Sequence, residues 1–196
     1  MIACVILAAG LSERFGSPKA LAKYQGETVI ERIQKTLLNT NIEEIVIVLG
    51  AHQDQIKPCI LKHNKIRVVY NKDYKLGQTS SFKTGVQGLS EDCSGIFLYP
   101  VDYPFVQAST VDMLCDVFLQ KHPAILVPSF DHQKGHPPIF HSRLKEEILN
   151  LDNTLGLNTI VRKHSMDEIV LPVSDSGVVL TFNTPEEFKK ITQQLI

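Results

Sequence analysis

The 196-residue sequence predicts an α/β protein built on a mostly parallel sheet. Short apolar runs rich in Val and Ile alternate with longer amphipathic stretches, which is the rhythm of strands alternating with helices. Most of those runs are continuously apolar, as strands covered by helices on both faces must be. A hydrophobic content of 43% against 21% charged residues supplies one sizeable core and excludes disorder as the main state.

Strands are expected at residues 3–8, 44–49, 67–70, 95–101 and 124–128. Residues 29–38 place Val29, Ile30, Ile33, Leu37 and Leu38 near helical spacing, and residues 110–119 do the same with Val111, Leu114, Cys115 and Phe118. A further helix is expected at 81–89. Past about residue 130 the pattern loosens, and Gly135, Pro137 and Pro138 mark a loop that enters a strand by Phe140. Helices at 143–149 and 157–163, short strands at 168–171 and 177–180, and a closing helix from Pro185 complete the chain. Without a repeat or long linker, residues 1–196 read as one domain. Residues 1–130 form its first part and residues 131–196 are expected to line one side of its cleft.

With 20 basic and 21 acidic residues, nothing draws the whole chain to nucleic acid or to an anionic membrane. The opening apolar run is short and is followed by Glu13 and Arg14, which fits neither a secretory signal nor a membrane span. Cys4, Cys59, Cys93 and Cys115 lack any metal or redox spacing and read as reduced thiols of a cytoplasmic protein. His132, His136 and His141 are separated by Gly135, Pro137 and Pro138, so they read as loop histidines and not as a zinc site.

The most informative segment runs from Leu7 to Lys19, L-A-A-G-L-S-E-R-F-G-S-P-K. It leaves the first strand at its carboxyl end, where open α/β sheets bind ligands. Gly10 and Gly16 let backbone amides approach an anion, Arg14 can make a bidentate phosphate contact, and Lys19 adds a point charge. Two phosphate motifs are excluded by spacing. A dinucleotide fingerprint would need glycine where Ser12 and Phe15 stand, and a P-loop would need lysine where Ser17 follows Gly16.

These residues resemble the signature of the MobA-like NTP transferases, the group of molybdenum cofactor cytidylyl- and guanylyltransferases built on the nucleotide-diphospho-sugar transferase fold. Asn71 with G-Q-T-S-S-F from Gly77, P-V-D-Y-P from Pro100, and G-H-P from Gly135 are similar to further segments of the group, in the same order. The resemblance implies a three-layer αβα, Rossmann-like fold with a mostly parallel mixed sheet. It also implies transfer of a nucleoside monophosphate from a triphosphate to an acceptor phosphate, with pyrophosphate released. Leu7, Ala8, Ala9, Gly10, Ser12, Arg14, Gly16, Lys19, Asn71, Gly77, Ser80 and Ser81 would bind the nucleotide. Arg14, Lys19 and Asp102 would be catalytic, Asp102 and Asn183 would hold Mg2+, and Gly135 and His136 would face the acceptor.

The L-A-A-G form resembles the cytidylyl branch, which favours CTP, with molybdopterin cofactor as acceptor and a molybdenum hydroxylase as recipient. Alternatives stay open at four points. Ser80 and Ser81 can contact ribose and base or cap a helix, and Asn183 can ligate a metal or cap the helix before Thr184. The sequence has Thr181-Phe182-Asn183 where the resembling cytidylyltransferases carry D-x-D. That leaves room for a catalytically weak nucleotide- or cofactor-binding chaperone, and a sugar or polyol phosphate is the other acceptor class.

Overall fold

The computed structural model describes residues 1–195. Its elements run β1 (Ile2–Ala8), β2 (Lys23–Tyr24), β3 (Glu27–Thr28), α1 (Val29–Leu38), β4 (Glu44–Leu49), α2 (Gln53–Ile56), β5 (Ile66–Tyr70), α3 (Gln78–Gln87) and β6 (Gly95–Pro100). They continue with α4 (Ala108–Lys121), β7 (Ile125–Phe130), β8 (Gln133–Lys134), β9 (Ile139–His141), α5 (Lys145–Asn150), α6 (Asn158–Lys163), β10 (Glu168–Pro172) and α7 (Pro185–Gln194). The main sheet has the order β10-β7-β9-β6-β1-β4-β5, with β8 paired to β7 and β2-β3 forming a separate hairpin. Only β8 and β9 among the strands of the main sheet run antiparallel to their neighbours.

Alternation along β1 explains the layers. Ile2, Cys4, Ile6 and Ala8 enter one core with α1, α4 and α7, while Ala3, Val5 and Leu7 enter a second core with α3, α5 and α6. A strand buried on both faces must be apolar at every position, as β1 is. The caps fix the helix starts: Thr28 and Glu31 form a reciprocal capping box at α1, and Pro185 occupies the first turn of α7 behind Thr184.

The site follows from topology. The chain passes from β1 to β4 on one side and reaches β6 on the other, so strand order reverses at β1, and ligands bind outside the carboxyl ends at such a reversal. Leu7 is in register with Pro100, which brings the loop after β1 beside the loop after β6.

The structure corrects several expectations. Residues 177–180 are not a strand. Ser176–Val178 form a 3-10 turn whose Gly177 amide donates to the Asp175 carboxylate, and Val178 is buried in the core by that turn. Helix α3 begins at Gln78, not 81, because Gly77 (φ 94°) turns the chain sharply into it. Gln133–Lys134 adds a strand, and β9 inserts between β6 and β7. No described helix is long and apolar enough to cross a membrane.

Candidate active site

The loop after β1 folds back on itself through short bonds. Phe15 N and Gly16 N donate to Ser12 O at 2.9 and 3.1 Å, and Gly16 adopts φ 75°, a conformation that suits glycine. Lys19 N then donates to Ser12 Oγ at 3.1 Å, so the serine hydroxyl anchors the backbone that presents the lysine.

The chain before α7 packs against this loop. Phe182 is fully buried between Phe15 (5.4 Å between ring centroids) and Phe188 (4.6 Å). Thr184, not Asn183, caps α7 by accepting from Glu187 N at 3.2 Å. The Asn183 amide is thereby left to face the first loop. Its Oδ1 accepts from Arg14 Nη2 and from Lys19 Nζ, both at 2.9 Å. Lys19 Nζ also lies 3.4 Å from Asp102 Oδ2 and 5.7 Å over the Phe182 ring. Arg14, Lys19, Asp102 and Asn183, read separately from four places in the sequence, thus form one cluster.

Beside the cluster opens a cavity of about 430 Å³. Residues 7–10, Ser12, Arg14 and Lys19 line one side, and Gly77, Ser81 and Asp102 the other. A Cβ built on Gly10 would meet nothing within 4 Å, so the protein leaves open the space above that backbone. Tyr74, Lys75 and Gln78 also line the cavity and were not singled out from the sequence. A lysine two residues before Gly77, at the start of a helix, was the available signal for Lys75.

Other expected contact residues lie behind the wall. Asn71 is buried, donates to Ser80 Oγ at 2.9 Å and Ser81 Oγ at 3.0 Å, and accepts from Asp73 N at 2.9 Å. Ser80 donates onward to Asp73 O and Gly77 O, so it braces the turn before α3 instead of facing the cavity. Neither serine caps α3, whose N-cap is Gly77. Gly16 shapes its turn and is not on the cavity wall. A Cβ on Gly135 would come within 2.3 Å of Val178 O, so this glycine serves a close backbone approach.

His136 stacks on Tyr103 with centroids 4.4 Å apart, and its buried Nδ1 has no hydrogen-bond partner. Burial pushes the imidazole below its ordinary range, against the opposing pull of the Asp102 charge. Burial, followed by that same charge, pushes the Tyr103 phenol up.

No group of three or more His, Cys, Asp or Glu side chains among the described residues is arranged to hold a metal. Asp102 and Asn183 do converge on one point, and the Lys19 ammonium already sits between their oxygens as a cation. An oxygen pair of this kind suits Mg2+, which takes one or two protein ligands and completes its shell with phosphate and water.

Residues 4–169 match the MobA-like NTP transferase domain. The chain is 30% identical over 197 residues, 97% of each chain, to a probable molybdenum cofactor guanylyltransferase of Geobacillus sp. (strain WCH70). It is 23% identical to the molybdenum cofactor cytidylyltransferase of Escherichia coli (strain K12), over 95% of this chain and 93% of that one. The crystal structure of Rv0371c from Mycobacterium tuberculosis H37Rv superposes with a TM-score of 0.84 at 24% identity over 98% of both chains, and its manganese complex with 0.80 at 23% identity, also over 98% of both. The sheet and its flanking helices are those of the nucleotide-diphospho-sugar transferase fold. By its sequence and its fold, the chain belongs to the MobA-like NTP transferase family of nucleotidyltransferases.

Proposed function

We propose that the protein moves CMP from CTP onto the phosphate of molybdopterin cofactor, releases pyrophosphate, and supplies the product to a molybdenum hydroxylase. The observation that carries this reading is the meeting of Arg14, Lys19, Asp102 and Asn183 beside one open cavity.

The chemistry brings two anions together at one phosphorus. An oxygen of the acceptor phosphate forms a bond to the α-phosphorus, and the bond from that phosphorus to the α,β-bridging oxygen breaks. Arg14 and Lys19 hold the triphosphate and offset charge on the departing pyrophosphate. The acceptor is already largely a dianion near neutral pH, its second pKa being about 6, so no side chain has to remove a proton. Asp102 and Asn183 would hold Mg2+, which when bound neutralises phosphate charge. The wall from Leu7 to Gly10 and the start of α3 hold the nucleotide in line, and positioning supplies most of the rate. The acceptor would enter from the side of Gly135 and His136, neither of which lines the cavity, with His136 stacked on Tyr103 next to Asp102.

The choice of CTP rests on Ala9, whose side chain is buried beside Gly50 at the cavity wall. The named relatives divide between guanylyl and cytidylyl transfer, so both triphosphates belong in the test. Asn183, in place of a carboxylate, favours one second reading, a nucleotide- or cofactor-binding chaperone without turnover. The protein is incubated with Mg2+ and molybdopterin cofactor, and separately with sugar and polyol phosphates, together with each triphosphate in turn. Pyrophosphate and product mass are then measured. Pyrophosphate with CTP and a cytidine dinucleotide product is the expected result. Nucleotide binding without pyrophosphate from any mixture supports the chaperone, and turnover confined to a sugar or polyol phosphate moves the acceptor.

A further inference from the structure

We infer that Lys19 closes the divalent-ion position until a triphosphate arrives, so that the nucleotide binds first and the ion enters only after it. This rests on the nucleotide-transfer reading above and adds the order in which the site fills.

Three observations lead there. The Lys19 ammonium lies between the two oxygens that would ligate the ion, 2.9 Å from Asn183 Oδ1 and 3.4 Å from Asp102 Oδ2. It is held there: its side chain is 14% exposed, its own amide is bonded to Ser12, and the buried Phe182 ring lies beneath it. Next, an amide oxygen has two lone pairs. Arg14 and Lys19 each donate to Asn183 Oδ1, so neither pair is free for a metal until one cation leaves. Last, the Arg14 and Lys19 cations both converge on Asn183 Oδ1, the very oxygen the ion would use, while the nearby carboxylates lie on Lys19 (Asp102) and on the Asn183 backbone amide (Glu187, 2.6 Å). Two cations this close to that oxygen repel a bare dication and attract a polyanion.

A triphosphate reverses all three. Bonds from ammonium and guanidinium to phosphate oxygens pair full opposite charges and can be bidentate for the guanidinium, neither of which a neutral amide oxygen offers. They draw Lys19 and Arg14 off Asn183 and Asp102, and they bring the anionic oxygens that complete a magnesium shell. This gives the asparagine a role. An aspartate at position 183 would offer the ion a charged ligand with free lone pairs and admit it bare.

Mn2+ serves as the probe, because its electron spin resonance signal reports free ion without any need for turnover. Calorimetry follows CTP and GTP in EDTA. Without nucleotide, wild-type protein should leave the Mn2+ signal as it is in buffer, while Lys19→Met and Asn183→Asp should each tighten Mn2+ binding by roughly tenfold or more. Wild-type protein should bind a triphosphate in EDTA. Nucleotide-free Mn2+ binding by wild type as tight as in the two variants overturns the inference. Should a variant fail to fold, the wild-type measurements decide alone: Mn2+ bound without nucleotide, or a triphosphate bound only when the ion is present, overturns the order and leaves nucleotide transfer standing. No triphosphate binding with or without the ion overturns both.

Discussion

Arg32 Nε donates to the Pro104 carbonyl oxygen at 3.1 Å and so ties helix α1 to the loop that carries Asp102. Its guanidinium also lies 5.3 Å from the Tyr24 ring centroid and 5.7 Å from that of Phe105. The loop that carries Asp102 is therefore tied down from outside the cavity. Arg32→Ala is expected to lower stability by about 1–2 kcal/mol, from one charge-assisted hydrogen bond and partly exposed ring contacts. Urea unfolding measures it. An unchanged midpoint would mean that the loop holds its shape without α1.

Two glycines, Gly10 and Gly135, should respond oppositely to alanine. A Cβ at Gly135 meets backbone oxygen of Val178 at 2.3 Å, which cannot rotate away, so Gly135→Ala is expected to cost about 2–4 kcal/mol. A Cβ at Gly10 meets nothing, so Gly10→Ala should keep stability within about 0.5 kcal/mol while weakening triphosphate binding. Thermal unfolding and nucleotide titration of both variants separate a packing glycine from a binding one. The reverse pattern would misplace the phosphates.

Much of this was legible beforehand, and the reason lies in where the free energy comes from. Strand β4 and helix α1 appear within the bounds read from the sequence, because continuous burial and a capped amphipathic stripe are local signals. The apolar stretch at 177–180 misled because its burial comes from a turn clipped by Asp175, a residue that also binds Gln107 N and Thr110 Oγ1 on α4. That clip is tertiary, and no spacing announces it. The convergence of Arg14, Lys19 and Asp102 could be anticipated from strand ends, whereas the roles of Asn71 and Ser80 could not. Both have the residue types of ligand contacts, and only the packing shows their hydrogen bonds turned inward.

The four thiols differ in reactivity for stated reasons. Burial, and after it the Asp112 and Asp116 charges, pushes the Cys115 thiol up to about 12. Burial raises Cys4 and Cys93 as well. The thiolate is the nucleophile, so at pH 8 these three hold almost none and are sterically covered. Iodoacetamide under native conditions should modify Cys59, which is half-buried, and reach the others only on unfolding. Mass spectrometry of the labelled peptides checks this, and rapid native labelling of Cys4 would contradict the packing of β1.

Removal of charge at the cluster should act on turnover more than on folding. Lys19 is partly exposed and its pair with Asp102 spans 3.4 Å, so Lys19→Ala should change stability by less than about 1 kcal/mol. Loss of one preorganised cation should lower kcat about 10²–10³-fold, as should Asp102→Ala. Pyrophosphate release under saturating substrate gives the ratio. Wild-type turnover in Lys19→Ala would remove that residue from the phosphate path.

The most direct measurement is a crystal structure of the protein with CTP and Mg2+. It should show the triphosphate in the cavity with Arg14 and Lys19 on its oxygens, and the ion on Asp102 and Asn183. A nucleotide bound elsewhere, or Lys19 still seated between Asp102 and Asn183 with the triphosphate in place, would contradict the account.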